Sequence, residues 1–288
     1  MTLPTPEGGG FCRTHSPTAY VIRRPIITKS THPHSTTPTV WAISDTHLSF
    51  ARPRDQARFG EQWRNHTERL AAAWRERIAP QDIILMPGDL SWAHSPARVR
   101  PDIDWLSALP GRKVLVRGNH DFWWKRIEQI RREVLPPDIQ AVQGSCIALD
   151  GLLICGTMGH IAPNDPYFRP EKLRSYRRER DWLRSSLEEA RQMQTDGEPV
   201  LLMMHYPPYT SDGRPSGFTE IIQQFAPEVC VYGHLHFKEE WAVAIEGPQN
   251  GTTYHLVACD YLNMIPRCIW PPEDTTKKAA THAQQQNI

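Results

Sequence analysis

The chain has 288 residues, 39% of them hydrophobic, which is enough to build one large domain or two small ones around a sizeable core. Its 33 basic and 32 acidic residues leave a net charge of +1, so charge gives no reason to expect a nucleic acid or an anionic membrane as partner. No apolar stretch approaches the roughly 18 residues of a membrane-spanning helix.

The two ends of the chain differ in composition from the middle. Residues 1–39 hold 12 Ser or Thr and a single acid, Glu7, which favours a disordered leader, with an organellar transit peptide as the alternative. Residues 267–288 are predicted to form a flexible tail. Residues 40–266 then form one globular domain.

The six cysteines form no CxxC pair. Four of them lie in apolar runs and are predicted to be buried free thiols: Cys146, Cys155, Cys230 and Cys259. Free thiols are typical of a reducing compartment, which favours a cytoplasmic protein.

Strands and helices alternate along the middle of the chain. Short apolar runs predict strands at 39–44, 82–87, 113–117, 146–149, 152–156, 199–204, 228–232 and 253–259. Longer amphipathic segments predict helices at 61–79, 102–109, 171–193 and 219–225, with Asp102 as the N-cap of the second. Asp150-Gly151 indicates a hairpin between two of the strands. This order predicts an α/β fold.

Polar side chains follow five of these strands directly. They are Asp45, His47, Asp89, Asn119, His120, His205, His234 and His236. Ligands of α/β sheets bind at the carboxyl ends of strands, and unpaired charges beside apolar strands are costly. We therefore expect these side chains to meet at one site that binds metal.

The residue types indicate which ions such a site would bind. Without His120, the set has four His, two Asp and one Asn and no sulfur ligand, and suits Mn, Fe, Zn or Ni. Seven ligand groups are more than one tetrahedral ion can bind, and they fit two ions if one carboxylate bridges the ions. Gly88, Gly118 and Gly233 each precede a polar residue, where glycine permits a sharp turn and a close backbone approach.

The motifs as a set resemble the calcineurin-like metallophosphoesterase superfamily in their order and rough spacing. They are "DTH" at 45–47, "GD" at 88–89, "GNHD" at 118–121, "H" at 205 and "GHLH" at 233–236. The resemblance covers about residues 40–260 and makes this segment the expected catalytic domain. It implies a four-layer sandwich of two mixed β-sheets flanked by helices.

The resemblance also implies the roles of the polar residues. The first ion would bind Asp45, His47, Asp89 and His236, and the second would bind Asp89, Asn119, His205 and His234. Asp89 would bridge the two divalent ions. His120 would stay off the metals, beside the leaving group.

The implied function is hydrolysis of a small phosphate monoester or diester. A hydroxide bridging the two ions would attack in line, and His120 would act as the general acid. The absence of an Arg soon after Asp89, and Asp121 in place of the usual Glu, argue against a protein phosphatase. A non-catalytic metal-binding scaffold and a nuclease are the alternatives; neutral charge disfavours nucleic acid, and no membrane partner is expected.

Other residues near the motifs are candidates for a substrate pocket. They are Trp92, His94, Trp123, Trp124 and His160, with the loop at 206–218 as a rim. Core packing is an equal alternative for each of the tryptophans. Asp121 either orients His120 or a neighbouring group, or it caps a helix in the segment "FWWKRIEQI".

Overall fold

The protein is described by a computed structural model, in which residues 38–271 are placed. The predicted leader, apart from its last two residues, and most of the predicted tail lie outside the described residues. The strands are β1 (Val40–Ala42), β2 (Ile83–Pro87), β3 (Arg112–Val116), β4 (Ile139–Ala141), β5 (Ser145–Leu149), β6 (Leu152–Thr157), β7 (Val200–Met204), β8 (Val229–Tyr232), β9 (Gly247–Gln249), β10 (Thr252–Leu256) and β11 (Arg267–Trp270). The helices are α1 (His66–Arg77), α2 (Pro96–Ser107), α3 (Ile127–Glu133), α4 (Leu173–Met193), α5 (Gly217–Phe225) and α6 (Lys238–Trp241).

The strands form two mixed sheets. The first has the order β11-β1-β2-β3-β4 and is parallel except for β11. The second has the order β5-β6-β7-β8-β10-β9, with a parallel centre and antiparallel strands at both edges. The carboxyl ends of the central strands of each sheet therefore lie along one edge of that sheet.

Alternating side chains on the buried strands build three hydrophobic clusters. On β7, Leu201 and Met203 pack between the two sheets, whereas Leu202 and Met204 pack with residues of α4 and α5 on the outer face. The outer face of the first sheet packs against α1, α2 and α3 in the same way. This gives the four layers, helix–sheet–sheet–helix, that the sequence predicted, and the fold class is confirmed.

The start of α2 differs from the prediction. The helix begins at Pro96 after Ser95, because proline fits the first turn, where its missing N–H is not needed. Asp102 is therefore in the middle of α2 and is not its N-cap. Its buried carboxylate accepts hydrogen bonds from the Phe50 amide and the Ser91 hydroxyl, so it ties the loops after β1 and β2 to the helix.

The predicted domain boundary at residue 266 also differs from the structure. Strand β11 pairs antiparallel with β1, and Ile269 packs between the two sheets with 4% of its surface exposed. These residues therefore belong to the sheet rather than to a tail. The polar Arg267 and the prolines on either side obscured the strand signal.

Two smaller predictions concern the cysteines and the membrane. Cys146, Cys155, Cys230 and Cys259 are buried free thiols, as predicted. Within residues 38–271, no helix is both long and apolar enough to cross a membrane.

Candidate metal centre

The carboxyl ends of β1, β2 and β3 in the first sheet meet those of β7 and β8 in the second. One group of side chains gathers around Asp45, where ligand atoms of Asp45, His47 and His236 lie within 4.8 Å of one another. His236 Nε2 is 3.5 Å from Asp45 Oδ1, and His47 Nε2 is 3.8 Å from Asp89 Oδ2. Asp45 and Asp89 are both almost completely buried.

A second group of side chains gathers around His205. Its Nε2 atom lies 2.7 Å from Asn119 Oδ1, 3.2 Å from His234 Nδ1 and 3.6 Å from Asp89 Oδ2. Asp89 Oδ2 therefore faces an imidazole of each group. The structure thus brings together all seven side chains that the sequence singled out as metal ligands.

His120 lies beside these groups without belonging to either. Its backbone amide donates to Asp89 Oδ1 at 2.8 Å, and its ring packs against Trp92 with centroids 4.5 Å apart. Its Nδ1 atom is buried without a hydrogen-bond partner among the described residues. Burial lowers the pKa of His120, and the charge of Asp45 opposes this effect.

The backbone is strained where these side chains are presented. Four of the seven predicted ligands adopt the left-handed region: Asp45 (φ 57°), His47 (φ 45°), Asp89 (φ 52°) and His234 (φ 74°). Such conformations are uncommon outside glycine, and they cluster at functional sites. The tight turns aim successive side chains of one loop into the same small volume.

Glycines let the loops approach each other closely. A Cβ on Gly118 would lie 2.1 Å from Asp89 Oδ1, and one on Gly233 would lie 2.1 Å from Asp45 Oδ2. A Cβ on Gly88 would lie 2.7 Å from His205 Nδ1. These clashes explain why each motif carries glycine directly before its polar residue.

The two buried carboxylates experience opposite electrostatic environments. Burial would raise the pKa of Asp45, but the interactions with His236 and the other nearby imidazoles lower it overall. Burial and the negative charge of Asp45 raise the pKa of Asp89 well above its usual value. Two carboxylates this close repel each other, so added positive charge between them would stabilise the site.

The family model for calcineurin-like phosphoesterases matches residues 38–238, well over half of the chain. The chain belongs to this family. All five polar strand ends lie within the matched residues, and the match agrees with the two mixed sheets described above.

Similar curated proteins match shorter parts of this calcineurin-like phosphoesterase. The Gene 66 protein of Mycobacterium phage L5 is 31% identical over 81 residues, which cover 28% of this chain and 39% of that protein. A probable cyclic nucleotide phosphodiesterase of Synechococcus sp. is 30% identical over 132 residues, which cover 44% of this chain and 43% of that protein. The chain thus spans less than half the length of these relatives.

Two solved structures are similar over most of the chain. A protein of unknown function, AQ665 from Aquifex aeolicus, is 16% identical, with 80% of this chain and 94% of that chain covered and a TM-score of 0.40. The phosphopantetheinyl hydrolase PptH from Mycobacterium tuberculosis is 15% identical, with 82% and 97% covered and a TM-score of 0.48.

The donor set of this family member fits divalent cations. His205 Nδ1 lies 3.1 Å from the Pro87 carbonyl oxygen, which needs a proton from it, so Nε2 presents a lone pair. That lone pair faces Asn119 Oδ1, which is also an acceptor, so no hydrogen lies between these two atoms. Asp45 Oδ1 is also buried without a hydrogen-bond partner among the described residues. Cations bound at the two groups of side chains would satisfy these lone pairs.

Asp260 is a site residue that the sequence interpretation missed. Its two carboxylate oxygens each lie 3.1 Å from His236 Nδ1, so they orient the ring with Nε2 toward Asp45. Burial disfavours the imidazolium, but the interactions with Asp260 and Asp45 outweigh it and raise the pKa of His236 to about 11. An acid directly after the apolar run "LVAC" was the available signal.

Asp121 connects two loops of the site and caps no helix. Its Oδ2 accepts from the Gly118 amide at 2.8 Å, and its Oδ1 accepts from the Ser91 amide and the Trp123 indole. Helix α3 begins only at Ile127, so the helix-cap interpretation was wrong. The buried carboxylate instead joins the loop after β3 to the loop after β2.

The predicted pocket residues divide into two sets. Trp123 and Trp124 belong to the hydrophobic core, with 0% and 2% of their surface exposed, so the core alternative holds for both and the pocket alternative does not. Trp92 stacks on His47 with ring centroids 4.6 Å apart, which places it at the site. The Arg54 guanidinium lies 4.8 Å above the Trp92 ring, and no sequence motif pointed to it.

His94 and His160 lie on opposite sides of the site. His94 stacks on Phe122 and, with Arg52, Arg54 and Arg98, lines a small cavity beside Trp92. His160 stacks on Tyr206 beside a larger cavity that also includes His234. The loop at 206–211 forms part of the rim of that larger cavity, as the sequence predicted for the wider segment 206–218.

Proposed function

We propose that the protein is a divalent-metal-dependent phosphoric ester hydrolase that acts on small phosphate monoesters or diesters. The observation that carries this proposal is the convergence of seven side chains with nitrogen or oxygen donors, two of them buried carboxylates, at the ends of five strands. Membership of the calcineurin-like phosphoesterase family supports the same class of reaction.

The proposed ligand sets follow the two groups of side chains. One ion would be held by Asp45, His47, Asp89 and His236, and the other by Asp89, Asn119, His205 and His234. Asp89 fits the shared position because its Oδ2 lies 3.8 Å from His47 Nε2 and 3.6 Å from His205 Nε2. The nitrogen and oxygen donors suit Mn, Fe, Zn or Ni alike.

When bound, divalent ions supply positive charge that attracts phosphoryl oxygens and lowers the pKa of a coordinated water. The chain itself supplies the orientation. The His120 amide donates to Asp89 Oδ1 and holds the backbone at His120 beside the proposed ligands, and the ring of His120 packs against Trp92. Asp121 fixes the same loop from the other side through Gly118.

His120 is proposed as the general acid. Its ring lies next to the two groups without joining either, and it is half-buried between Trp92 and Phe122. A phosphate bound beside it adds negative charge, which favours the protonated ring. The ring then donates its proton to the departing alkoxide oxygen, a step worth about 10²–10⁴ in rate.

Diesters belong in the substrate range for a specific reason. A relative that is 30% identical over 132 residues is named a probable cyclic nucleotide phosphodiesterase. We therefore include cyclic nucleotides and open diesters beside monoesters as candidate substrates.

The test combines metal analysis with a substrate screen. The purified chain is stripped with chelator, reloaded with Mn²⁺, Fe²⁺, Zn²⁺ or Ni²⁺ and assayed on p-nitrophenyl phosphate, bis(p-nitrophenyl) phosphate and cyclic nucleotides. Asp89→Ala should lose at least one ion per chain and nearly all activity, whereas Asp104→Ala, at an exposed position of α2, should lose neither. Two ions retained by Asp89→Ala would contradict the shared position, and a metal-loaded wild type without turnover would contradict the hydrolase.

A further inference from the structure

A cavity of about 450 Å³ lies directly beside the proposed metal ligand His234. We call it the tyrosine cavity, because its wall includes Tyr167, Tyr206, Tyr209 and Tyr232. Tyr206 packs against His234 with ring centroids 4.1 Å apart, so the cavity opens next to the metal centre. Cavities of this size suit a small organic group.

The walls of the tyrosine cavity are held in place by hydrogen bonds. Asp165 accepts from the Tyr167 and Ser211 amides, and so joins two loops that form one wall. On the opposite wall, Glu240 accepts from the His236 amide at 2.9 Å, which ties α6 to the metal-ligand loop. The Tyr232 hydroxyl donates to the Ile245 carbonyl at 2.7 Å. The cavity is therefore formed before any ligand binds.

The lining of the tyrosine cavity is aromatic, aliphatic and acidic. Aliphatic surface comes from Leu235, Val243 and Ile245. Three acids border the space, namely Asp165, Glu239 and Glu240, and none of the described residues that line it is Lys or Arg. An anionic group would find no positive partner there, whereas an aromatic, aliphatic or cationic group would find suitable contacts.

The other side of the metal centre has the opposite charge. The small cavity beside Trp92 is bordered by three cations, Arg52, Arg54 and Arg98, and by one buried carboxyl group, that of Asp102. The site is thus basic near Trp92 and His120, and acidic near Tyr206 and His234. A ligand that spans the centre is therefore oriented by charge as well as by shape.

We propose that the tyrosine cavity binds an organic group of the phosphate ester and selects an uncharged or cationic aromatic or aliphatic group over an anionic one. This inference rests on the proposed hydrolase function and names the class of ester that the site accepts. Substrates that carry a second phosphate or a carboxylate on that group are disfavoured.

Binding of phosphonates tests the cavity without requiring turnover. Benzylphosphonate and methylphosphonate share the phosphonate head, and they differ in the group that would enter the cavity. Calorimetric titration of the full Mn²⁺-loaded chain should give a dissociation constant at least about tenfold lower for benzylphosphonate, because a phenyl ring is buried. Equal dissociation constants would overturn the inference.

A matched pair of alanines locates the binding. Ala244 lines the cavity and is half-buried, whereas Ala242, two residues earlier, is exposed and does not line it. Ala244→Trp should fill the cavity and reduce the preference for benzylphosphonate to within about twofold, whereas Ala242→Trp should preserve it. Val243→Trp, at a lining position that is 48% exposed, serves as the second filling variant if Ala244→Trp unfolds. If a folded Ala244→Trp or Val243→Trp variant kept the full preference for benzylphosphonate, the inference would be overturned.

The charge preference is tested with two ligands of similar length. The ammonium of 3-aminopropylphosphonate should be favoured relative to the carboxylate of 3-phosphonopropionate, and Glu239→Lys should shift their ratio of dissociation constants at least about threefold toward the carboxylate. Glu188→Lys, on the exposed face of α4, is the control and should leave the ratio unchanged. An unchanged ratio in Glu239→Lys contradicts the proposed selectivity.

The two proposals fail in different ways. The chain could hydrolyse no ester and still prefer benzylphosphonate, with Ala244→Trp abolishing that preference. This result would reject the hydrolase and retain the binding cavity. Hydrolysis of phosphate esters without any preference between the two phosphonates would reject the cavity alone.

Discussion

His236 Nδ1 lies 3.1 Å from each carboxylate oxygen of Asp260. This arrangement fixes which ring nitrogen faces Asp45, because the proton on Nδ1 is held by the carboxylate and Nε2 is turned toward the centre. Carboxylates behind a metal-binding histidine keep the ring oriented and increase its basicity. Asp260 therefore acts on the centre through His236.

Asp260→Ala is expected to weaken binding of one ion by about 10–100-fold, and Asp260→Asn by less, because asparagine keeps one acceptor for Nδ1. Activity at saturating metal should stay close to that of the wild type. The measurement is competition for the ion with a chromogenic chelator, with Asp181→Ala, at an exposed position of α4, as the control. Unchanged metal affinity in Asp260→Ala would show that His236 is oriented without this contact.

His120 is expected to matter according to the leaving group. His120→Ala should reduce kcat about 10²–10⁴-fold on alkyl phosphate esters, whose alkoxide needs a proton. It should reduce kcat less than about tenfold on p-nitrophenyl esters, whose leaving group departs without protonation. The ion content should stay at the wild-type value, because His120 is not a proposed ligand.

The measurement for His120 is kcat against leaving-group pKa for a series of esters, with metal analysis of the same samples. His94→Ala removes a neighbouring exposed imidazole and is the control. Equal losses on all esters would assign His120 to positioning or to metal binding rather than to proton transfer.

Asp121 is expected to stabilise the loop that carries Asn119 and His120. Its carboxylate accepts three N–H donors, from Gly118, Ser91 and Trp123. Asp121→Asn places an amide NH₂ against one of these donors, which costs about 1–3 kcal/mol of unfolding free energy. Urea unfolding measures this loss. A variant as stable as the wild type would contradict the role of Asp121 as a link between the loops.

The sequence was sufficient to predict the central strands and the seven proposed ligands. Buried parallel strands appear as continuous apolar runs, and a polar residue directly after such a run stands out against them. The same rule applies to Asp260, because the apolar run "LVAC" continues past the end of β10 at Leu256 up to this acid. The predicted strand ended at Cys259, one residue short of this acid.

Local sequence patterns did not predict several other features of the structure. Arg54 follows a segment without regular secondary structure. The contact of its guanidinium with Trp92 depends on tertiary packing. Trp123 and Trp124 belong to the core, and a tryptophan in a pocket looks the same in sequence as one in a core. Helix α2 was predicted six residues late because the proline at position 96 was not read as a first-turn residue.

Lys113 is 1% exposed in β3 and lies away from the metal centre. Its ammonium donates to the Leu109 carbonyl and lies 3.5 Å from Asp138 Oδ2. Burial lowers the pKa of Lys113, and the charge of Asp138 only partly opposes this effect. The folded state therefore holds the lysine proton less tightly than the unfolded chain, whose lysine pKa is about 10.4.

The sign of the pH dependence is set by this difference. Where the unfolded chain binds more protons than the folded protein, the free energy of unfolding rises with pH. The contribution of Lys113 to the free energy of unfolding should therefore rise with pH, from the pH that equals its lowered folded pKa up to about pH 10.4. Lys113→Met keeps the apolar stem but has no titrating group, so the stability of wild type relative to this variant should increase between about pH 7 and pH 10. At about pH 7 the two should differ by about 1 kcal/mol or less, because the lost hydrogen bond to Leu109 and the relieved burial of charge oppose each other.

Urea unfolding of both proteins across this pH range measures the difference, and titrations elsewhere in the chain cancel in it. Lys125→Met, at an exposed position, is the matched control and should show no such trend. A difference between wild type and Lys113→Met that falls as the pH rises would mean that Asp138 stabilises the ammonium more than burial penalises it.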